Sequence, residues 1–102
     1  MADRFKRQAR IIKAMAHPTR LAIIDLLSRG ERCVCDIQRT VGSDMSTISK
    51  HLALLRSAGL VSDRKEGLRV IYRLRVPCIQ RFMDCIEAVN QADAAELAAA
   101  ER

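Results

Sequence analysis

Apolar residues recur at three- and four-residue spacing through the first 58 residues of the chain, which is the pattern of amphipathic helices. The pattern predicts four helices, over residues 4–16, 18–28, 34–40 and 44–58. His17-Pro18 separates the first two, because the residue before a proline avoids helical backbone and proline itself suits a first helical turn. A glycine follows the second, third and fourth helices. Ser43 or Asp44 is the expected N-cap of the fourth.

The period of the pattern changes after residue 60. Residues 69–74 alternate as a strand does, and residues 61–65 are predicted to pair with them across a turn at Glu66-Gly67. Pro77 ends the strand. A last helix follows, and its apolar side consists of Ile79, Phe82, Met83, Ile86 and Val89. The alanine-rich end favours helix but has little to bury, so we expect the tail over about residues 91–102 to fray.

The order of these elements indicates the fold class. A short helix, a tight turn and a second helix with polar residues at its start make a helix-turn-helix. The basic hairpin that follows makes a wing. The sequence therefore predicts a mainly α winged helix-turn-helix with a small β-hairpin. Because 102 residues are enough for one domain and not for two, residues 1–102 are predicted to form a single domain.

Charge lies in blocks along the chain. The formal net charge is +6, and residues 1–20 and 56–81 each carry a net +5, whereas residues 82–102 carry a net −4. Two basic blocks that fold onto one face would bind phosphates, which indicates a nucleic acid as partner. A charge that only keeps a small domain soluble is the alternative interpretation. With three aromatic residues, the chain has little with which to bind a large flat ligand.

The start of the fourth helix carries short polar side chains and a cation, namely Ser46, Thr47, Ser49, Lys50 and His51. Such side chains let a helix approach DNA closely and bond base edges and phosphates. The apolar residues Ile48, Leu52 and Leu55 form a stripe on the other side of the helix. An ordinary amphipathic surface helix would show the same pattern, but the wing behind it favours a DNA-recognition helix. For His51, the alternatives are a phosphate contact and a role in positioning the helix.

The hairpin supplies a second candidate contact with DNA. Arg64, Lys65 and Arg69 lie near its tip, and a two-stranded tip is narrow enough to follow a minor groove, where arginine is favoured. Arg73 and Arg75 lie further from the tip. For these two, pairing with acids inside the protein is the favoured interpretation.

Four segments resemble the ArsR/SmtB family of bacterial dimeric repressors, and they read AHPTRLAIIDLL, CVCD, STISKHLALLRSAGLV and VIYRL. The resemblance covers about residues 10–90. It implies a homodimer joined through its first and last helices, and release from operator DNA when an inducer binds. It also implies that Ser46, Thr47, Ser49 and Lys50 face the DNA. Family members often carry glutamine where this chain has Met45. A dimer with two recognition helices predicts a near-palindromic operator, with half-sites about one turn apart.

Cys33 and Cys35 belong to the C-V-C-D motif, which the family's arsenic- and cadmium-sensing members carry. Thiolates are natural ligands for soft metals and trivalent arsenic, so arsenite or antimonite is the first candidate inducer, and cadmium or lead the second. On a regular helix the two side chains point about 200° apart, so both reach one ion only if the helix begins or distorts there. An oxidant, a sulfur species, or no inducer at all are the alternatives.

Compared with its metal-sensing relatives, the chain lacks some ligands. Arsenic-sensing relatives often have a third cysteine where this chain has Gln38, and cadmium- and lead-sensing relatives add cysteines from an N-terminal arm. No histidine follows His51, so no zinc or nickel site is expected on the last helix. Cys78 and Cys85 lie seven apart on the predicted last helix, on the same side as Phe82 and Val89. Burial in the core is their favoured interpretation, and a place as further thiols beside Cys33 or Cys35 is the functional one.

The sequence argues against other classes of protein. The C-x-C spacing and the lack of a surrounding βαβ pattern do not fit a thioredoxin-like enzyme, so we expect no catalysis. We also expect that DNA binding needs no cofactor. No signal peptide and no apolar run of membrane-spanning length is visible, so we expect a cytoplasmic protein with reduced cysteines and no membrane partner. A protein-interaction module without a DNA role is the remaining alternative.

Overall fold

The structure is a computed structural model that describes residues 2–100. Its elements are α1 (Asp3–Met15), α2 (Pro18–Ser28), β1 (Arg32–Cys33), α3 (Val34–Val41), α4 (Met45–Ser57), β2 (Val61–Glu66), β3 (Arg69–Leu74) and α5 (Ile79–Ala100). The first four helices match their predicted ranges within about one residue at each end. The tail that was expected to fray is helical up to Ala100, and residues 101–102 lie outside the described residues.

A third strand, β1, extends the predicted hairpin into an antiparallel sheet with the order β1-β3-β2. In β1, Cys33 is paired with Ile71 of β3. The prediction of a hairpin alone was therefore incomplete, because a strand of two residues is too short to show an alternating pattern. This pairing links the start of α3 directly to a strand of the wing.

The wing turn lies one residue further along the chain than predicted. Glu66 pairs with Arg69, so Gly67 and Leu68 form the turn. Gly67 has a φ of 62°, in the left-handed region that this kind of tight hairpin turn requires and that glycine adopts without strain. The Leu68 side chain is completely exposed at the tip.

The core lies where α2, α3 and α4 meet the sheet. Its fully buried side chains are Ile23, Ile24, Ile37, Ile48, Leu52, Leu55, Leu60 and Val61. The apolar stripe predicted on α4 is thereby confirmed, since Ile48, Leu52 and Leu55 are all completely buried. Burying each such side chain contributes about 1.5–3 kcal/mol, so α4 is held firmly against the rest of the domain.

Most of the apolar side of α5 is uncovered in the single chain. Ile79 and Met83 are half-buried against the core, and none of the helix's described residues is fully buried. Large exposed apolar residues on α1 and α5 are Phe5, Ile11, Ile12, Phe82, Ile86, Val89 and Leu97. Ile12 and Phe82 together border two apolar depressions between these helices, so the facing parts of α1 and α5 form one surface. A continuous apolar surface of this kind marks an interaction site. Within residues 2–100, no helix has both the length and the apolar character needed to cross a bilayer.

The positions of Cys78 and Cys85 in the structure differ from the burial that the sequence predicts for them. Cys78 lies in the turn before α5, and Cys85 lies on the helix. Both are exposed in the chain described, so the expectation that they belong to its core is wrong. The reason is that only Ile79 and Met83 of α5 pack against the core, and that Cys78 precedes the helix.

Candidate nucleic-acid interface and thiol site

Asp44 caps α4 and fixes its first turn. The Asp44 Oδ1 accepts hydrogen bonds from the Thr47 backbone N–H at 2.8 Å and from Ser46 Oγ at 2.9 Å. The Thr47 backbone bond is the main cause that holds the pKa of Asp44 below its ordinary value. Ser46, Ser49 and Lys50 are exposed on this capped turn and the next one, and Thr47 is half-buried. The predicted DNA-facing residues therefore stand on one rigid, accessible helix start.

The His51 side chain contacts α2. Its Nδ1 accepts a hydrogen bond from Arg20 Nη1 at 3.1 Å, and its ring centroid lies 4.5 Å from that of His17. Burial first, and then the nearby His17 and Arg20, lower the pKa of His51. A lowered pKa favours the neutral imidazole, which is the form that accepts the Arg20 bond. Of the two roles predicted for His51, this geometry favours positioning of α4.

Gln38 braces the turn between α3 and α4. Its Nε2 donates a hydrogen bond to the Ser43 carbonyl oxygen at 3.0 Å. Gly42 ends α3 with a φ of 87°, a conformation in which glycine is favoured. At the position where arsenic-sensing relatives often have a third cysteine, this chain therefore has a residue that holds the helix-turn-helix angle.

Arg64 is the most constrained of the three cations predicted on the wing. Its Nη2 lies 2.9 Å from Glu31 Oε2 and 3.0 Å from Glu66 Oε1. The hydrogen bond with Glu31, followed by that with Glu66, raises the pKa of Arg64, and Arg64 lowers the pKa of Glu31. Much of the Arg64 charge is therefore balanced inside the protein. The sequence pattern missed Glu31 because it lies 33 positions earlier in the chain.

The wing is tied to α4 by an ion pair, and it keeps one unpaired lysine. Arg56 Nη1 of α4 lies 2.9 Å from Asp63 Oδ2 of β2. Lys65 is exposed and forms no ion pair with any carboxylate of residues 2–100. Arg75 donates to the Gly59 carbonyl oxygen at 3.4 Å, and neither Arg73 nor Arg75 pairs with a carboxylate of residues 2–100, so the acid pairing favoured for these two is not found. Lys65 is thus less constrained than Arg64 and more free to meet a phosphate.

Cys33 and Cys35 border one depression of about 330 Å³. Cys33 is buried and Cys35 is exposed. Cys33 is the N-cap of α3, with extended backbone angles (φ −73°, ψ 157°), so the helix begins at Val34. The 200° separation of a regular helix therefore does not apply to this pair. The condition under which both thiols can face one ligand, a helix that starts between them, is met.

Charged side chains join this thiol pair to the wing. Asp36, Arg39 and Arg69 border the same depression, and Arg39 Nη2 lies 2.7 Å from Asp36 Oδ1. Interaction with the Cys33 side chain is the main cause that raises the pKa of Arg69 and lowers that of Asp36. Because Arg69 begins the second wing strand and Cys33 is paired with Ile71 of that strand, the thiol pair adjoins the wing.

Two thiols are all that this depression provides as soft ligands. Within the described part of the chain, no three side chains of Cys, His, Asp or Glu converge as a metal site would require. Cys78 and Cys85 do not border the depression. The pair therefore suits a ligand that takes two thiolates and completes its coordination from elsewhere. It does not match the four protein ligands that a closed metal site usually needs.

Comparisons with known proteins agree with this geometry. Residues 17–63 match the family model described as bacterial regulatory protein, arsR family. The chain is 51% identical over 65 residues to the arsenical resistance operon repressor of Escherichia coli, covering 63% of this chain and 56% of that protein. It is 33% identical over 89 residues to the arsenical resistance operon repressor of Staphylococcus xylosus, covering 87% of this chain and 86% of that protein. The chain spans only 41% of the length of Rv0324, a Mycobacterium tuberculosis regulator that it also matches.

A solved structure shares the fold over nearly the whole chain. It is the solution structure of the homodimeric winged helix-turn-helix DNA-binding domain Mb0332 from Mycobacterium bovis. The TM-score is 0.78 at 35% identity, covering 94% of this chain and 93% of that one. The likeness confirms the predicted winged helix-turn-helix, and the relatives are transcriptional regulators, not enzymes. The chain belongs to the ArsR family of bacterial regulatory proteins.

Proposed function

We propose that this chain is a DNA-binding transcriptional repressor that acts as a homodimer. The observation that carries the proposal is the capped start of α4, where Ser46, Ser49 and Lys50 are exposed on a helix whose other side is completely buried. A helix held in this way can present donors, acceptors and a cation to a major groove. The shared fold with the homodimeric DNA-binding domain Mb0332 supports the same use here.

The uncovered apolar surface of α1 and α5 supports the homodimer. Phe5, Ile12, Phe82 and Val89 are each about half exposed in the single chain, at 47%, 51%, 43% and 60%. A second copy would cover this surface and add the burial that a domain of this size otherwise lacks. Two recognition helices related by a two-fold axis would then read a near-palindromic operator, with half-sites about one helical turn apart.

The proposed DNA contacts differ in kind. Lys50 and Ser49 read the groove, while Lys65 of the wing holds a phosphate. Arg64 contributes less than its position suggests because two glutamates already bind it. His51 acts through its hydrogen bond with Arg20, which holds α4 against α2.

Fluorescence anisotropy with DNA from upstream of the protein's own gene tests this assignment. Lys50→Ala is expected to weaken binding to that duplex by about 10-fold or more, because the alanine cannot reach a base or a phosphate in the groove. Lys65→Ala is expected to weaken binding to any duplex and to lower the salt dependence by about one unit. Arg29→Ala is the control, since Arg29 is exposed and paired with Asp25 at the far end of α2. Equal affinity of all three variants and the wild type would rule out the docking mode.

For the inducer, we infer that arsenite or antimonite binds Cys33 and Cys35. Both thiols border one depression, and two relatives are named as arsenical resistance operon repressors. Trivalent arsenic is soft, and each S–As bond forms as a thiol proton leaves with an arsenite hydroxyl as water. Cadmium or lead is the second candidate, and it needs ligands that this depression lacks. A redox or reactive-sulfur switch, or cysteines without any sensing role, are the alternatives.

Release from DNA would follow from what surrounds the two thiols. A ligand in the depression competes for space with Arg69, which borders it together with both cysteines. Cys33 is also paired with Ile71 of the wing, and α3 sets the angle of α4. Inducer binding would therefore shift the wing and the recognition helix together. By linkage, operator DNA must weaken inducer binding by the same factor.

A further inference from the structure

A second basic surface lies between α1, the first turn of α2 and the C-terminal half of α4. It is a depression of about 440 Å³, bordered by Arg10, Lys13, Arg20, Leu54 and Ser57 among others. This surface accounts for part of the N-terminal charge block, which carries a net +5 over residues 1–20 and to which the DNA contacts proposed above assign no role.

The cations of this depression are available to an anion. Arg10 and Lys13 are exposed, lie three positions apart on one side of α1, and pair with no carboxylate of residues 2–100. Arg20 is held in place, because its Nε donates to the Ala14 carbonyl oxygen at 2.6 Å and its Nη1 to His51 at 3.1 Å. The arginine fork has five N–H donors, so these two bonds leave others for a ligand.

The depression continues the exposed side of α4. Ser46, Lys50 and Ser57 follow one another at intervals of four and seven residues, so they lie along one side of the helix, and all three are exposed. From Ser46 to Ser57 the helix rises about 16 Å. A major groove is about 12 Å wide, so a helix whose first turns enter the groove has its last turn near a bordering backbone.

We propose that this basic depression binds phosphates of the DNA backbone beside the groove that α4 enters. The inference rests on the proposed function, since it needs α4 in the groove. Arg10 and Lys13 neutralise the phosphates, and Arg20, fixed by Ala14 and His51, sets their distance from α4. The contact carries no base information, so it strengthens binding to operator and unrelated DNA alike.

The test compares Arg10→Gln/Lys13→Gln with a matched double variant, Arg29→Gln/Arg81→Gln, which removes the same charge at exposed positions on α2 and α5. Anisotropy titrations of the whole chain run from about 50 to 200 mM salt on the own-gene and an unrelated duplex. The first variant is expected to bind both duplexes about 10-fold more weakly, and its salt slope falls by about 0.9 for each phosphate that it no longer neutralises. The matched variant is expected to keep the wild-type slope.

Equal slopes for the two double variants would overturn the phosphate site, because only overall charge would then matter. If Lys50→Ala weakens binding in the same series, the proposed function still stands and this inference alone has failed. If the wild type binds no duplex, both have failed. Thermal unfolding of each double variant should match that of the wild type, because the exchanged side chains are exposed.

Discussion

Val89→Glu is expected to convert the homodimer into a folded monomer that has little affinity left for operator DNA. Val89 is 60% exposed on the uncovered side of α5, so the single chain tolerates a polar residue there. In the homodimer the same position would bury a carboxylate without a partner, which is strongly unfavourable. A monomer engages one half-site only, so apparent affinity for the operator should fall by about 100-fold or more.

Sedimentation equilibrium gives the mass of the variant, and anisotropy gives its affinity for the operator. The matched control is Ala88→Glu, which introduces the same side chain one position earlier, on the other side of the helix. Ala88→Glu should remain a homodimer and bind DNA as the wild type does. A dimeric Val89→Glu with unchanged affinity would show that the surface of α1 and α5 is not the interface.

Cys35→Ser is expected to leave DNA binding intact and to remove its release by arsenite. Cys35 is exposed, so its exchange changes little in the fold. A site with one thiol forms a single S–As bond. It loses the second thiol, which would otherwise bind the same arsenic atom at a high effective concentration, so arsenite affinity should fall by about 100-fold. Cys33→Ser should have the same effect, with a check of thermal stability because Cys33 is buried.

The measurement is the arsenite concentration that releases half of the reduced protein from its duplex. Cys85→Ser is the control, because Cys85 does not border the depression and should leave this concentration unchanged. Gln38→Cys adds a thiol three positions after Cys35 on α3, where i and i+3 side chains are neighbours, and should lower this concentration. Gln38→Ser reports the separate effect of removing the bond to Ser43. Undiminished release in Cys35→Ser would remove that residue from the site, and abolished release in Cys85→Ser would move the site to α5.

The helical part of the fold could be predicted from the sequence because its signals are local and repeated. Ile48, Leu52 and Leu55 mark the buried side of α4 by spacing alone, and all three are completely buried. Pro18 and the glycines that follow α2, α3 and α4 fix the boundaries of these elements within about one residue. The exposed polar start of α4 then follows, because the buried stripe leaves only one side for solvent.

Long-range contacts could not be predicted, because no periodicity encodes them. The strand β1 has two residues and owes its conformation to pairing with β3. Arg64 was predicted as a free DNA contact, yet Glu31 and Glu66 bind it. His51 likewise depends on Arg20, 31 positions away. In each case the partner becomes a neighbour only when the sheet and helices pack.

For the thiol pair of Cys33 and Cys35, the sequence predicts the local geometry but not the neighbours from other elements. The sequence indicates that Cys33 and Cys35 share a ligand only if the helix begins or distorts there, and the structure has α3 begin at Val34. The place of Arg69 beside Cys33 was not predicted, because it depends on the register of β1 against β3. Cys78 and Cys85 are expected in the core, and both are exposed, because Cys78 precedes α5 and only Ile79 and Met83 of the helix pack against the core.

Whether a homodimer reads DNA with α4 and the wing is tested most directly by in vitro selection of duplex DNA from a random library with the reduced protein. We expect enrichment of a sequence whose two halves are inverted copies, with centres about 10 base pairs apart. A selected pool without any shared sequence, or with a single unrepeated half-site, would contradict the homodimeric reading of DNA.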